Sequence, residues 1–215
     1  DTRVFREVTQ LGKELEKIGS RVMGSESHAK VGIIFDWENY WALEYTSGPN
    51  RDLRYVDQIE QMYNYFYNKN IAVDMIPIDA DFSKYDLVAA PVLYMVKDGV
   101  AESLEAYVQA GGTLITTYMS GIVGQSDNVH LGGYPGPHRK MAGVWVEEID
   151  ALAPEQRNKI RFADGTEEEC RLVCDLMHLE GAEEIAQYES DFYAGMTAVA
   201  KNQFGKGTVY YVGTD

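Results

Sequence analysis

The sequence predicts an α/β protein with a doubly wound, mostly parallel sheet and additional β-structure in its second half. Three observations lead to this prediction. Segments typical of strands and helices alternate in the first half, which is the rhythm of a parallel sheet covered by helices on both faces. The second half contains only short strand-like runs. The 215 residues are 45% hydrophobic and 25% charged, which is ordinary for a globular domain with an ample core.

The chain opens with an amphipathic segment that predicts a helix over 4–18, because apolar residues recur there close to every 3.6 positions. Gly19 is expected to end this helix. Residues 20–30 are small and polar and are typical of a linker. We therefore expect 1–24 to be a helix and linker from a preceding domain and 25–215 to be the α/β domain. Since the sequence begins without methionine and ends directly after a strand-like run, we interpret it as a fragment of a longer protein.

The remaining elements follow from apolar runs separated by glycine, proline and polar residues. In the first half the pattern predicts a helix that begins at Asp52, a second helix over 99–110, and strands over 31–35, 71–76, 86–93 and 113–118. In the second half it predicts strands over 144–149, 160–163, 170–179, 184–188, 198–204 and 208–212. Residues 36–44, which follow the first strand, are expected to form a loop.

The charge of the chain excludes two classes of partner. Its 19 basic and 34 acidic residues give a formal net charge of −15. Nucleic-acid binding needs a basic surface that neutralises phosphates, and no basic cluster is present. An anionic membrane surface would repel the chain for the same reason. The longest apolar runs are far shorter than a membrane span.

The cysteines indicate a reducing setting. If the segment that holds Cys170 and Cys174 is one strand, the two residues lie roughly 13 Å apart at about 3.4 Å per residue, too far for a disulfide. If the segment is a helix, they lie one turn apart and are also poorly placed. We therefore expect two unpaired, buried thiols. Together with the lack of an Asn-X-Ser/Thr sequon, this predicts a cytoplasmic location.

Residues 36–44 are unusually rich in aromatic and acidic side chains. They follow a strand at the edge where open α/β sheets usually bind ligands. Tryptophan faces pack on sugars, and glutamate or asparagine can hydrogen-bond sugar hydroxyls. Alternatively, the aromatic residues anchor a subunit interface or pack in the core, and the two glutamates could be imagined as a glycosidase acid/base pair. The candidates are Trp37, Glu38, Asn39, Tyr40, Trp41 and Glu44.

Ser120 follows the strand over 113–118 and resembles a nucleophile at a strand-to-helix turn. A hydrolase of this kind needs Gly-X-Ser-X-Gly, but Tyr118 and Ile122 occupy the glycine positions. A cysteine amidotransferase would need a thiol at the same turn, and none is present. His130 or His138 could serve as a base for Ser120, but nothing in the sequence brings them together, so we expect Ser120 to be an N-cap or turn hydroxyl.

Residues 132–138 form a glycine- and proline-rich segment that predicts a rigid, shaped loop at the sheet edge. It lacks the lysine and hydroxyl residue of a phosphate-binding P-loop. The four histidines show no metal-ligand spacing, either among themselves or with the cysteines. The sequence therefore predicts neither a metal site nor a cofactor.

Four motifs in series resemble the middle domain of family 42 glycoside hydrolases, which are β-galactosidases. They are FDWENYWALE at 35–44, DADFSKYDLVAAP at 79–91, AGGTLITT at 110–117 and LGGYPGPHRKMAGVWVEEID at 131–150. The resemblance runs from about residue 30 to the end of the chain.

This resemblance implies a division of labour within a longer enzyme. The catalytic glutamates and the galactoside site would lie on a preceding TIM barrel, whose end would be residues 1–24. The α/β domain would have a flavodoxin-like fold, similar to class I glutamine amidotransferases but without their active site, and would hold three subunits together. The interface, or the wall of a neighbouring pocket, would include the six residues named above together with Tyr134, Pro135, His138 and Arg139.

Two competing hypotheses belong to other classes. The chain could be an independent amidotransferase-like enzyme or serine hydrolase, or a carbohydrate-binding module that uses the segment from Trp37 to Trp41. The incomplete nucleophile motif disfavours the first. A change in tryptophan fluorescence on adding sugar would favour the second.

Overall fold

The computed structural model describes residues 2–46 and 48–215. The helices among these residues are α1 (Arg3–Val22), α2 (Trp37–Tyr45), α3 (Tyr55–Tyr67), α4 (Val100–Ala110) and α5 (Arg139–Ala142). The strands are β1 (Val31–Ile34), β2 (Val73–Ile76), β3 (Leu87–Ala90), β4 (Met95–Val96), β5 (Thr113–Thr117), β6 (Val123–Gly124), β7 (Val144–Ala151), β8 (Asn158–Phe162), β9 (Glu167–Cys170), β10 (Val173–Leu179), β11 (Glu183–Tyr188), β12 (Thr197–Phe204) and β13 (Gly207–Val212).

One nine-stranded sheet, in the order β2-β1-β3-β5-β13-β12-β11-β8-β9, organises the domain. The strands from β2 to β13 are parallel to their neighbours, and those from β13 to β9 are paired antiparallel. The predicted α/β class is therefore confirmed. The β-structure of the second half mainly extends the same sheet, since β13 returns to pair with β5 and carries the later strands with it.

Helices cover both faces of the parallel part, because successive side chains of a strand point to opposite faces. Ile34, Val88 and Leu114 pack in one buried cluster with residues of α4. Ile33 and Ala89, their neighbours along the strands, pack on the other face in a cluster with residues of α2 and α3. The short strands of the parallel sheet are therefore apolar at almost every position, because both of their faces are buried.

The first helix is longer and less covered than the sequence predicts. It passes Gly19 and ends at Val22, so the expected glycine stop is wrong. An isolated glycine costs a helix only about 1 kcal/mol, which does not end a strongly amphipathic segment. None of the residues of α1 is buried, and its apolar stripe, which includes Leu11 and Leu15, is exposed.

Three other boundaries differ from the predictions. The segment 36–44 is not a loop, because most of it lies in α2. The helix expected from Asp52 begins at Tyr55, after a short turn. The strand expected over 170–179 is two strands, β9 and β10, separated by a corner at Arg171 and Leu172. Strand periodicity alone does not reveal such a corner, because apolar residues continue on both sides of it.

Candidate functional site

The helix α2 starts at the C-terminal end of β1, the sheet edge that the sequence predicts for a site. Asp36 is its N-cap: the backbone N–H of Asn39 donates to Asp36 Oδ2 at 2.9 Å. Glu38 lies in the first turn, where its negative charge interacts favourably with the positive end of the helix dipole. An aspartate directly before the segment is a typical helix N-cap and could have predicted the helix from the sequence.

An exposed aromatic face lies along α2 and consists of Trp37, Trp41 and Tyr45. Their exposed fractions are 60%, 49% and 87%. The ring centroids of Trp37 and Trp41 are 6.3 Å apart, and Phe35 supports Trp37 edge-on at 4.9 Å. Tyr45 was not among the residues singled out from the sequence. Large aromatic side chains that remain exposed together on a rigid helix are typical of a binding surface.

Asn39 points away from this face and is fully buried. Its Nδ2 donates to the carbonyl of Val92 at 3.0 Å, and its Oδ1 accepts from the N–H of Met95 at 2.8 Å. Val92 has a positive φ of 48°, so Asn39 clamps a strained corner after β3. Tyr40 is half-buried, with its ring centroid 6.3 Å from that of Tyr55. These two predicted residues support the surface from within.

Glu38 belongs to an ion-pair cluster at the start of α2. Lys97 Nζ lies 2.8 Å from Asp36 Oδ1 and 2.5 Å from Glu38 Oε2. Partial burial opposes the charge of Lys97, but hydrogen bonds and attraction from both carboxylates outweigh it and raise the pKa of Lys97. Lys97 therefore bridges the N-terminus of α2 to the segment after β4.

Glu44 joins α2 to α3. Its Oε2 lies 2.7 Å from Arg54 Nη1, and its Oε1 accepts from the backbone N–H of Tyr55 at 3.2 Å. Glu44 thus satisfies an N–H group at the start of α3 that has no partner within the helix. Glu38 and Glu44, the candidate acid/base pair, are thus both in ion pairs with basic side chains of their own chain.

Two exposed apolar residues, Val129 and Leu131, directly precede the second predicted segment, 132–138, and are called the loop tip below. Leu131 is 97% exposed and Val129 is also exposed. Neither residue was selected from the sequence, where glycine and proline drew attention to positions 132–138. A fully exposed leucine on an ordered loop is a candidate contact residue.

The base of this loop is tightly fixed. Gly121, with a φ of +65°, passes so close to Pro135 that a Cβ on it would lie 2.1 Å from the Pro135 carbonyl oxygen. The carbonyl of Tyr134 accepts from the N–H of Val146 at 2.9 Å. Pro135 is buried and Tyr134 is half-buried. These contacts fix the backbone of the segment 132–138, next to the loop tip.

Arg139 closes the loop from the side. Its guanidinium forms a two-point pair with Glu180 that raises the pKa of Arg139, and it also donates to the carbonyl of Gly132. It lies over the ring of Trp145, with its Cζ 5.4 Å from the ring centroid. The neighbouring cleft has a volume of about 380 Å³.

His138 is buried beneath the loop, and in the described part of the chain neither of its ring nitrogens has a hydrogen-bond partner. Nε2 of His130 is likewise buried without a partner. Burial, and to a smaller extent the nearby His130, lower the pKa of His138 to about 4. His138 therefore remains neutral at pH 7 and belongs to the interior rather than to an exposed surface.

The two predicted segments meet around Tyr94. Tyr40 of α2 and Tyr134 of the loop pack against the same buried cluster, which contains Tyr94 and Met95. Tyr94 also interacts with Thr46 at the end of α2 and with Tyr134. The inner sides of the two predicted segments therefore pack against one buried cluster.

Ser120 has the surroundings of a structural hydroxyl. It is fully buried, and its Oγ accepts from the N–H of Leu93 and from the hydroxyl of Thr116, both at 3.1 Å. In a nucleophile elbow the strained residue is the nucleophile itself. Here the positive φ of 56° belongs to Met119 rather than to Ser120. Neither histidine hydrogen-bonds to Ser120 in the described residues.

The described residues show neither a metal-binding cluster nor a membrane-spanning helix. No group of three or more histidine, cysteine or acidic side chains in 2–46 and 48–215 is arranged to hold a metal ion. Within the same residues, no helix is both long enough and apolar enough to cross a bilayer.

Comparison with known sequences identifies close relatives. A family model described as "Beta-galactosidase trimerisation domain" matches residues 29–215. The β-galactosidase LacZ of Lactobacillus acidophilus is 51% identical over 214 residues, which cover 100% of this chain and 32% of the relative. The β-galactosidase BgaB of a Geobacillus species is 50% identical over 214 residues, again 100% of this chain and 32% of the relative. The chain thus spans about a third of the length of these relatives.

Solved structures of β-galactosidases superpose on at least 99% of this chain. The β-galactosidase from Bacillus circulans sp. alkalophilus superposes with a TM-score of 0.89 at 47% identity, over 99% of this chain and 32% of that one. The β-galactosidase from Rahnella sp. R3 gives a TM-score of 0.88 at 45% identity, over 100% of this chain and 32% of that one. These matches support neither the independent-enzyme hypothesis nor the carbohydrate-binding module. The chain belongs to the family of trimerisation domains of glycoside hydrolase family 42 β-galactosidases.

Proposed function

We propose that this chain holds three copies of a family 42 β-galactosidase together and does not itself hydrolyse galactosides. The observation that carries the proposal is the aromatic face of α2, where Trp37, Trp41 and Tyr45 remain exposed on a rigid helix. Aromatic side chains of this kind contribute most of the binding energy in many interfaces. The family of the chain supplies the kind of partner, which is a second copy of the same protein.

A cyclic trimer needs two different patches, because each subunit contacts its neighbours head to tail. The aromatic face is one candidate patch, and the loop tip formed by Val129 and Leu131 is another. In this proposal Glu38, Glu44, Tyr134 and Arg139 border these patches. Asn39, Tyr40, Pro135 and His138 fix them from inside.

Hydrolysis of terminal β-galactosides is assigned to a part of the enzyme outside this chain. The relatives are β-galactosidases about three times as long, and the candidate groups in this chain are engaged in structural contacts. We further propose that residues 1–24 belong to the preceding catalytic barrel. The exposed apolar stripe of α1 and the start of the family match at residue 29 support this boundary.

Two finer proposals concern fold and location. The order β2-β1-β3-β5-β13 of the parallel strands corresponds to the flavodoxin-like order, the one expected from the resemblance to class I glutamine amidotransferases. The two free, buried thiols agree with a reducing cytoplasm.

The experiment replaces Trp37 and Trp41 by alanine in the full-length enzyme and measures its mass by light scattering over a dilution series. Each buried aromatic anchor contributes about 2–4 kcal/mol to an interface, so the double variant should dissociate at concentrations at least 30-fold higher than the unchanged enzyme. Phe192→Ala removes an exposed aromatic ring elsewhere and serves as the control.

The contrary outcomes are clear. A double variant that keeps its mass throughout the dilution series contradicts the placement of the interface, as does equal dissociation of the Phe192 variant. Hydrolysis of a chromogenic β-galactoside by the 215-residue chain alone, if Ser120→Ala abolishes it, contradicts the non-catalytic assignment.

A further inference from the structure

An exposed apolar surface lies where α3 meets β2, the outermost strand on one side of the sheet. It consists of Tyr63, Tyr67, Ile71 and Met75, whose exposed fractions are 37%, 63%, 41% and 47%. The rings of Tyr63 and Tyr67 are stacked, with their centroids 5.8 Å apart. We call these four residues the α3 surface. A contiguous group of large apolar side chains that stays uncovered is typical of a contact site.

The two tyrosines lie on the side of α3 that faces away from the middle of the sheet. The underside of the helix is buried at Phe66. Gln58 projects from one side toward the middle of the sheet, where its Oε1 accepts from the hydroxyl of Tyr118 at 2.7 Å. With 3.6 residues per turn, Tyr63 and Tyr67 project from the opposite side. They therefore point toward β2, the last strand in the order of the sheet.

The other two residues continue this surface onto the strand. Ile71 follows the end of α3, and its N–H donates to the carbonyl of Phe66 at 3.1 Å. Val73 packs against the buried cluster that contains residues of α3. Met75 lies two residues further along β2 and faces the same way, because side chains alternate along a strand. The α3 surface is therefore continuous from the helix to the strand.

The backbone of β2 is open on the same side. The N–H of Phe35 donates to the carbonyl of Ile76 at 2.9 Å, so the peptide groups of Ile76 face β1. Since these groups alternate along a strand, those of Val73 and Met75 point away from the sheet. Among the described residues β2 pairs with β1 alone. Proteins usually cover such open strands with another element, so we expect a neighbour here in the longer protein.

This region is also nearly free of charge. Lys69 is the only charged residue from position 61 to position 73, in a chain of which 25% is charged. The centre of a protein interface is depleted of charge and enriched in tyrosine. The neighbour is therefore held by apolar contact rather than by ion pairs.

The linker brings the preceding part of the polypeptide to this surface. Val31 pairs with Val73, so the residues before Val31 run past the end of β2 where Ile71 lies. The carbonyl of Lys30 accepts from the first N–H of β3 at 3.2 Å, which fixes this entry. Residues 24–30 span at most about 25 Å when fully extended. So short a tether gives a contact within the same polypeptide a high effective concentration.

We propose that the α3 surface docks against the unit that precedes this domain in the same polypeptide, the unit to which α1 belongs. The inference rests on the proposed function, in which residues 1–24 are part of the preceding barrel. About two thirds of each relative lies outside the matched region, which leaves a large unit to form the contact. The aromatic face of α2 follows the opposite, C-terminal end of β1 and stays available to a second copy.

The test compares two introduced thiols on α3 in the folded full-length enzyme. Tyr67→Cys lies in the α3 surface. Tyr65→Cys is its matched control, because Tyr65 is 59% exposed but projects from the other side of the helix. A maleimide is added for timed intervals, and trypsin then releases peptide 55–69, which carries either thiol. We expect Tyr67→Cys to react at least about 10-fold more slowly, because a docked surface reacts only while it is open. In urea both variants should react at the same rate.

A second variant and a dilution series identify the neighbour. Met75→Cys repeats the measurement on β2 with a smaller change of side chain, reports through peptide 70–84, and should also react slowly. For a contact within one polypeptide, the slow reaction should persist on dilution and when Trp37 and Trp41 are replaced by alanine. Light scattering of the same samples records the subunit mass.

The proposal is wrong if Tyr67→Cys and Met75→Cys both react as fast as Tyr65→Cys in the folded enzyme. It is also wrong if their protection is lost as the subunits dissociate, because a second copy then covers the surface. An unchanged mass of the variant that lacks Trp37 and Trp41 contradicts only the proposed trimer interface, so the two proposals fail separately.

Discussion

Replacing Asp175 by asparagine should remove a fall in stability that the unchanged chain shows between pH 3.8 and about 7. Asp175 is buried in β10, where its Oδ2 accepts from the hydroxyl of Tyr211 at 2.7 Å and its Oδ1 has no hydrogen-bond partner among the described residues. Burial raises its pKa from 3.8 to about 7, although the hydrogen bond from Tyr211 favours the charged form.

The sign follows from proton binding. Because the folded pKa lies above the unfolded one, the folded protein binds more protons between pH 3.8 and about 7. The contribution of Asp175 to the free energy of unfolding therefore falls as pH rises through this window and does not change above it. A shift of about 3 units corresponds to roughly 4 kcal/mol, of which about 2 kcal/mol falls between pH 5.5 and 8.

Asparagine cannot ionise, and its oxygen can still accept from Tyr211. The variant should therefore gain about 2 kcal/mol relative to the unchanged chain between pH 5.5 and 8. At every pH the free energy of unfolding of the variant is also lowered by about 1–3 kcal/mol, because the buried amide lacks a second hydrogen-bond partner. The measurement is urea denaturation, followed by tryptophan fluorescence at pH values above the isoelectric point of about 4.6.

Asp74→Asn is the matched control, because Asp74 also accepts from a tyrosine hydroxyl, that of Tyr85 at 3.0 Å, but is only partly buried. Because solvent reaches its side chain, it measures the effect of exchanging a carboxylate for an amide beside a tyrosine hydroxyl without the burial of Asp175. If the Asp175 variant gives a difference that does not vary with pH, the argument from burial is refuted.

Three further predictions concern other buried groups. His138→Phe should remove the contribution of His138 to the loss of stability in acid. The pKa of His138 is about 4 in the folded chain and 6.5 in the unfolded one, so its protonation lowers the free energy of unfolding as pH drops below 6.5, by up to about 3 kcal/mol. Urea denaturation of both proteins at pH 7 and pH 5 measures the difference. Asn39→Ala should lower the free energy of unfolding by about 2–4 kcal/mol, because it leaves the Val92 carbonyl and the Met95 N–H without partners; urea denaturation at pH 7 measures the loss. Ser120→Ala should cost about 1–3 kcal/mol in the same assay and leave kcat of the full-length enzyme unchanged, whereas a fall in kcat at full folding would contradict its structural role.

Much of the candidate site follows from local sequence. A short apolar strand that precedes aromatic and acidic residues predicts a surface at the C-terminal sheet edge, and Trp37 and Trp41 lie there. Tyr45 and Leu131 could not be selected in this way, because nothing local distinguishes an exposed tyrosine or leucine from a buried one. Only the packing of the neighbouring elements decides which side chains remain uncovered.

The same limit applies to Asn39 and Ser120, which the sequence presents as potential chemistry. Their roles are set by the Val92, Leu93 and Met95 backbone groups, more than 25 residues away along the chain. A polar side chain in a motif is equally compatible with a ligand and with a buried clamp. The distinction depends on which unsatisfied backbone groups the fold brings within 3 Å.

The sequence by itself determined the α/β class, the strands of the parallel sheet and the family, because these depend on periodicity and on long motifs that are local in the chain. Only the tertiary structure decided that β13 returns to β5, that the chain turns between Cys170 and Cys174, and that Asp175 is buried without an ion partner. Those features depend on contacts between distant residues. Their free energies come from burial and hydrogen bonding in the folded state, which the order of residues does not display.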